Sequence, residues 1–102
     1  MSERNIVVTE HALKQMQERK RDFRPYSVLE EEIQLEVNAA FKAGRVRDHR
    51  PKGFLLYGRT NNKLPDGQRL ALNADHSLAW IIKPEDGTEI VLTTLTRTGV
   101  NR

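Results

Sequence analysis

The chain has 102 residues, of which 37% are hydrophobic and 30% charged, with 17 Lys and Arg against 14 Asp and Glu and a formal net charge of +3. This length allows one domain, residues 1–102, and excludes a doubly wound nucleotide-binding fold. The absence of cysteine excludes disulfides and cysteine-ligated metals. No apolar run is long enough to span a membrane, and the polar start from Met1 to Asn5 does not resemble a secretory signal, so we expect a cytoplasmic protein.

The N-terminal part of the chain predicts a short β-prone run followed by a helix. Ile6 to Val8 is the β-prone run, and Thr9 is a typical N-cap residue. Val8 and Leu13 have the spacing of a hydrophobic staple across that cap. The first helix is therefore expected from Thr9 to Lys20.

A second helix is expected after Pro25. Ser27 to Glu30 has the form of a capping box, and Gly44 is suited to end the helix. Between them, apolar residues recur at spacings of three and four and form one stripe. These residues are Leu29, Ile33, Val37, Ala40 and Phe41.

After Gly44 the pattern changes from helical to extended. Short strands are predicted at residues 45–48, 54–57, 69–72, 78–83 and 89–96, with a turn at Pro84 to Gly87. The fold class is therefore α+β, with two N-terminal helices packed on a four- to five-stranded antiparallel sheet. The helices are expected to cover one face of the sheet and to leave the other face free for binding.

His11 is the first candidate for chemistry. It is predicted at the second helical position, where the helix dipole disfavours the charged imidazolium. A neutral imidazole can act as a general base, although a surface histidine on a first turn is the alternative. His49 and His76 fall in predicted loops without ligand spacing, so no metal site is indicated.

The last predicted strand carries hydroxyls and ends in Arg97. Strict alternation places Thr94 and Thr96 on one face with Ile90 and Leu92, and places Thr93 and Arg97 on the other with Val91 and Leu95. Hydroxyls beside an arginine can hold a phosphate. Ordinary β propensity of threonine is the alternative explanation.

The middle of the chain is strongly basic. Residues 42–69 contain eight Lys and Arg and two Asp, whereas residues 27–41 contain four glutamates and no basic residue. Arginines interleaved with an aromatic can grip phosphates and stack on unpaired bases, while a charged, solvated sheet edge is the alternative. The candidate nucleic-acid-binding residues are Arg45, Arg47, Arg50, Lys52, Tyr57 and Arg97.

The stretch from Val8 to Arg19 contains the pattern T-x-H-A-x-x-x-M-x-x-R. It resembles the helix-opening sequence of the RelE-like toxin superfamily, which includes barnase-like and colicin-type RNases of bacteria and phages. The helix ending at Gly44 and the closing strand from Ile90 to Thr96 are also similar. The resemblance implies metal-independent RNA cleavage without a cofactor, in which a base activates the 2′-hydroxyl for attack on the adjacent phosphate.

In this comparison His11 matches the histidine of the pattern and is the candidate base or acid. Thr94 and Thr96 match the polar positions of the closing strand, and Lys14 and Arg59 are cation candidates from their charge. The last strand lacks the tyrosine that is common in RelE-type toxins. RNA is the expected partner, and a toxin would also bind an antitoxin. The alternative is a non-catalytic module of the same fold that binds a protein or nucleic acid, such as a phage-encoded regulator of a host machine.

Overall fold

A mixed sheet with two helices on one face forms the part of the chain that the computed structural model describes, namely residues 4–51, 53–54 and 63–97. Its elements are β1 (Asn5–Val8), α1 (Glu10–Lys20), α2 (Tyr26–Ala43), β2 (Val46–Arg47), β3 (Arg69–Leu72), β4 (Leu78–Glu85) and β5 (Thr88–Thr96). The strands lie in the order β1-β5-β4-β3-β2. This confirms the α+β class and the two N-terminal helices. None of the helices in these ranges combines the length and apolar character needed to cross a membrane.

The sheet differs from the prediction at one strand pair. β1 runs parallel to β5, with Val8 opposite Val91, whereas the other neighbouring strands are antiparallel. The expectation of a wholly antiparallel sheet is therefore wrong at this edge. The partner of β1 is the last strand of the chain, so its direction depends on a contact that local periodicity does not reveal.

Helix α1 begins as the sequence predicts. Thr9 has extended backbone, and its hydroxyl accepts a hydrogen bond from the Ala12 N–H at 3.2 Å. The same hydroxyl donates to the Val91 carbonyl at 2.8 Å, which ties the start of the helix to β5. The inner side of α1 buries Ala12 and Met16 completely.

Helix α2 begins differently from the prediction. It starts at Tyr26 with Pro25 as N-cap and has no side-chain capping bond, so the expected capping box at Ser27 is wrong. The Pro25 carbonyl accepts from the Val28 and Leu29 N–H groups, as the carbonyl of an N-cap residue does. Gly44 ends the helix at φ 73°, as predicted.

Two apolar clusters lie on opposite faces of the sheet. The cluster under the helices contains Trp80, Ile82 and Val91, none of which is exposed. On the other face, Phe54 and Leu64 cover a second cluster. Its remaining buried members are Leu70, Leu72, Ala79 and Ile81. This face is therefore partly covered, and the expectation that it is free for binding is wrong over this area.

A β-bulge breaks the alternation of β5. Val91 pairs with Ile82 and Thr93 pairs with Ile81, so Leu92 is an extra residue in the strand. As a result Val91 and Thr94 both lie on the helix side, while Leu92 and Leu95 pack against the second cluster. The strict alternation predicted for this strand is therefore wrong.

Side chains from both helices bond to backbone groups at the start of β1 and in the part of β5 that extends past the end of β1. On α2, Asn38 accepts from the Arg4 N–H at 2.9 Å, and Gln34 donates to the Ile6 carbonyl at 3.0 Å. On α1, Gln15 accepts from the Thr94 N–H at 3.1 Å. Arg19 donates to the Thr94 carbonyl, also at 3.1 Å. Gln34 and Asn38 are four residues apart, as are Gln15 and Arg19, so each pair lies on one face of its helix.

The described residues place the remaining predicted strands in part. β2, β3, β4 and β5 fall within or close to the predicted segments, but β4 continues through Pro84, and its hairpin turn consists of Asp86 and Gly87. Phe54, the first residue of the strand predicted at 54–57, lies outside a strand. Residues 55–57 of that prediction lie outside the described ranges.

Candidate functional site

Four residues of the helix-opening pattern have structural roles. Thr9 caps α1, Ala12 and Met16 are buried, and Arg19 bonds to β5. His11 differs because its side chain is exposed and has no hydrogen bond within the described residues. Of this pattern, only His11 therefore presents a functional group to solvent without a structural contact in those residues.

Thr94 is enclosed under α1 rather than presented to a ligand. It has no exposed surface, and its hydroxyl donates to the Ala12 carbonyl at 2.9 Å. His11, by contrast, is exposed to solvent. The structure therefore does not bring these two predicted catalytic side chains to one surface. Thr96 is half-buried and pairs with Leu78 at the end of the same strand.

Of the two cations predicted to assist catalysis, Lys14 lies within the described residues and Arg59 does not. Lys14 is exposed one turn after His11, so these two side chains share the outer side of α1. Lys52, Tyr57 and Arg59 lie outside the described residues.

Arg47 lies in β2 and Arg45 directly precedes this strand, both on the face opposite the helices. Arg47 pairs with Leu70, which belongs to the second cluster, and Arg45 has the same strand parity. Arg45 Nε donates to the Leu72 carbonyl at 3.1 Å, and Arg47 Nη1 donates to the Gly44 carbonyl at 2.9 Å. Each guanidinium is thus anchored at one nitrogen while carrying further N–H donors.

Arg50 and Arg97 meet at two adjacent residues of the covering segment. Arg50 Nη1 donates to the Phe54 carbonyl at 3.1 Å. The Arg97 side chain lies so close to Gly53 that a Cβ added to this glycine would be 2.8 Å from Arg97 Cγ. The fold thus brings together one residue from after β2 and one from after β5. We refer to Arg45, Arg47, Arg50 and Arg97 as the arginine face.

Two cations at the end of α1 and before α2, Lys20 and Arg24, are paired with carboxylates. Arg24 donates to Asp22 at 2.8 Å and to Glu32 at 2.6 Å, and Lys20 lies 3.3 Å from Glu32. Hydrogen bonding from Arg24 lowers the pKa of Asp22 from 3.8 to about 2. Burial raises the pKa of Glu32, but the bonds from Arg24 and Lys20 outweigh it, so that this pKa is lowered overall.

A third cation, Arg4 just before β1, is also paired with a carboxylate. Arg4 lies 3.3 Å from the buried Glu89 and stacks over the Phe41 ring, with 3.9 Å from Arg4 Cζ to the ring centroid. By contrast, three members of the arginine face form no ion pair with a carboxylate in the part of the chain that is described. These are Arg45, Arg47 and Arg97. The positive charge of these three arginines is therefore not neutralised by the carboxylates of the described residues.

A polar cleft of about 280 Å³ lies between β1 and α2. Its lining includes Arg4, Glu31, Gln34, Leu35 and Asn38. None of the predicted site residues contributes to it. In the described ranges, no group of three or more His, Asp and Glu residues is placed to hold a metal ion.

The role of Gly53 was not predicted from the sequence. A glycine in the sequence Pro51-Lys52-Gly53 signals a turn, but its approach to Arg97 depends on the whole sheet. Comparisons with protein-family models, curated proteins and solved structures found no significant match to this chain.

Proposed function

We propose that this domain binds RNA through the arginine face. The observation that supports this most directly is a difference between two groups of cations. Arg4, Lys20 and Arg24 are paired with carboxylates, whereas Arg45 and Arg47 bond to backbone carbonyls and to no carboxylate within the described residues. A cation without an internal counterion gains more from an external anion.

The anchoring of these arginines favours phosphate recognition. A side chain already fixed by one hydrogen bond loses less conformational entropy when it binds a ligand. The planar guanidinium still has donors that match phosphate oxygens. Single-stranded RNA also offers unpaired bases that stack on guanidinium planes, which suits a sheet face bearing arginines.

Fluorescence anisotropy with a 12-nucleotide single-stranded RNA, titrated at several salt concentrations, tests this proposal. The variant Arg45→Gln/Arg47→Gln should bind more weakly, and its log K against log salt should be shallower by about 1.4, the value for two lost phosphate contacts. The matched control is Arg21→Gln/Arg69→Gln, which removes two positive charges elsewhere. Both control residues are exposed, and Arg69 pairs with Ile82 of the helix-side cluster.

Salt-independent affinity would contradict binding to phosphates. An equal loss of RNA affinity in the control would show that binding depends only on net charge, and would contradict a specific role for the arginine face. Duplex DNA of the same length serves as competitor, and equal competition by DNA would refute the preference for single-stranded RNA.

RNA cleavage at His11 is the second candidate function, supported by the exposure of this residue within an otherwise structural motif. The imidazole would remove the 2′-hydroxyl proton, and the oxygen would attack the adjacent phosphorus. The bond to the 5′-oxygen would break, and that oxygen would take a proton from a water molecule, giving a 2′,3′-cyclic phosphate and a 5′-hydroxyl. The imidazolium would then give its proton to the hydroxide that remains. Lys14, one turn away, would stabilise the charge on the phosphate.

Total RNA incubated with purified protein in EDTA tests this second function. Cleavage by the wild type that leaves cyclic phosphate ends and is lost in His11→Ala would support it. Equal cleavage by both proteins would exclude His11 as the base. RNA binding without cleavage would favour the non-catalytic module.

A further inference from the structure

Three of the four large hydrophobic side chains that are exposed in the described ranges lie at or just before α2. Phe23, in the connection between the helices, is 73% exposed, Leu35 is 60% exposed and Val28 is 39% exposed. Val28 and Leu35 are seven residues apart, so they lie on one side of the helix, turned away from the side that buries Leu29 and Ile33. We refer to Phe23, Val28 and Leu35 as the apolar row. Exposed apolar side chains grouped in this way mark a contact surface.

The connection that carries Phe23 is fixed by charged side chains. Arg24 donates to Asp22 at 2.8 Å and to Glu32 at 2.6 Å. Glu32 is four residues after Val28, so these bonds tie the connection to the side of α2 that bears the apolar row. A side chain presented on a fixed backbone loses less conformational entropy when another protein covers it. The exposed Phe23 is therefore prepared for a contact.

The spacing of the apolar row matches a second copy of itself in the reverse direction. Leu35 lies seven residues after Val28, which is about 10.5 Å along the helix axis. In the other direction Phe23 precedes Val28 by five residues, a reach of up to about 11 Å because its end of this segment lies outside the helix. A two-fold axis at Val28 therefore allows Phe23 of each copy to cover Leu35 of the other.

The charges of α2 favour this arrangement over a shifted one. Pairing Val28 with Leu35 of the other copy would place Glu31 and Glu32 of both copies against one another, and like charges repel. With the axis at Val28, the residues three and four positions after it face those three and four positions before it. Glu31, which is exposed, and Glu32 then approach Arg24 of the other copy. Arg24 Nη1 forms no bond within the described residues, so it is available to these carboxylates.

We propose that two copies of this chain form an antiparallel dimer through the apolar row, with a two-fold axis at Val28. The two Val28 side chains meet at the centre, and Phe23 of each copy packs on Leu35 of the other. The contact is small, so we expect a dissociation constant in the micromolar range. Arg45 and Arg47 lie on the sheet face opposite the helices and stay exposed in both copies, so the dimer does not depend on RNA binding.

Sedimentation equilibrium over a range of protein concentrations tests the dimer. The apparent mass of the wild type should rise from that of the 11.8 kDa chain towards twice this value. Phe23→Gln and Leu35→Gln should each raise the dissociation constant about tenfold, the loss typical of a main apolar contact. Both residues are exposed, so the variants should remain folded, with circular dichroism as the check.

Val7→Gln is the matched control, since Val7 is 45% exposed and its side chain lies on the sheet face opposite the helices. It should leave the dissociation constant unchanged. A wild type that stays monomeric at millimolar concentration would overturn the dimer. An equal weakening in Val7→Gln would overturn the assignment of the interface to the apolar row.

Disulfide cross-linking tests the arrangement, because the chain contains no cysteine of its own. Under mild oxidation Val28→Cys should form a covalent dimer, since residues at a two-fold axis come within bonding distance of each other. A mixture of Phe23→Cys and Leu35→Cys, one of them carrying an affinity tag, should link the two variants to each other more than to themselves. Ala39→Cys, exposed further along the same helix, should stay unlinked.

Two results would contradict this arrangement. Self-linking of Leu35→Cys in place of Val28→Cys would move the axis and overturn the pairing of Phe23 with Leu35. Equal linking of all variants, with Ala39→Cys among them, would show random collision and overturn the interface.

Discussion

Replacing Thr94 by valine tests whether its hydroxyl serves the fold or a ligand. The side chain has no exposed surface, and the one hydrogen bond that it forms with the described residues joins β5 to the Ala12 carbonyl at 2.9 Å. Valine has nearly the same shape, so the change removes a hydrogen bond and leaves no large cavity. The Ala12 carbonyl lies within α1 and retains its helical acceptor role.

The expected loss is therefore that of one intramolecular hydrogen bond, about 1 kcal/mol in the free energy of unfolding. Urea denaturation should show a lower midpoint with an unchanged slope. The melting temperature should fall by roughly 4–8 °C for a domain of this size. Thr94→Ala should lose about 2 kcal/mol, because it also removes a buried methyl group.

RNA affinity and any RNA cleavage should be the same in Thr94→Val as in the wild type, since no surface of Thr94 is accessible. Assays are run at a temperature where both proteins are folded, with circular dichroism as the control. A variant with wild-type stability but weakened RNA binding would refute this reasoning and restore Thr94 as a phosphate contact.

Three further predictions concern the polar contacts around the helices. Glu89→Gln should leave the free energy of unfolding unchanged or raise it, because Glu89 Oε1 is buried without a hydrogen-bond partner in the described residues. Arg4→Ala should lower the free energy of unfolding by about 2 kcal/mol, because it leaves that carboxylate unpaired. Urea midpoints in the reverse order would contradict this prediction. The lowered pKa of Asp22 contributes stability above pH 3.8 that is lost as the pH falls towards about 2, so Asp22→Asn should flatten the acid limb of the stability curve, and an unchanged limb would exclude this residue as its source. Asn38→Ala should accelerate hydrogen exchange at the Arg4 N–H, which donates to Asn38 Oδ1 at 2.9 Å; the same exchange rate in both proteins would show that this bond does not protect it.

The helices could be predicted largely from local sequence. Thr9 and Gly44 act within one turn of their own position, so their effects can be read from neighbouring residues. The start of α2 shows the limit of such signals. Ser27 matches the capping pattern, but Pro25 had already set the backbone two residues earlier.

The details of the sheet depended on contacts between distant residues. The bulge at Leu92 lets Val91 and Thr94 face the helices together, and no feature of the strand's own alternation indicates it. The parallel pairing of β1 likewise joins the two ends of the chain. Phe54 and Leu64 cover the second face although neither lies in a strand.

The candidate site was predictable by residue type but not by grouping. Arg45 and Arg47 are close in sequence, so the basic stretch already indicated a shared surface. The meeting of Arg50 with Arg97 required the complete sheet and the turn at Gly53. His11 belongs to the helix-opening pattern and Thr94 to the closing strand, and the fold leaves His11 exposed while it buries Thr94 under α1.

The hydrogen bonds from helix side chains to edge strands have a consequence between molecules. Exposed strand edges invite other chains to extend the sheet, which leads to aggregation. Gln34 and Asn38 already occupy backbone groups of Ile6 in β1 and of Arg4 just before it, which an incoming strand would need. Gln15 and Arg19 do the same at Thr94, past the end of β1. These four side chains therefore shield the edges of a small sheet. We expect replacement of these side chains to have a small effect on the free energy of unfolding and a larger effect on the concentration up to which the protein does not aggregate.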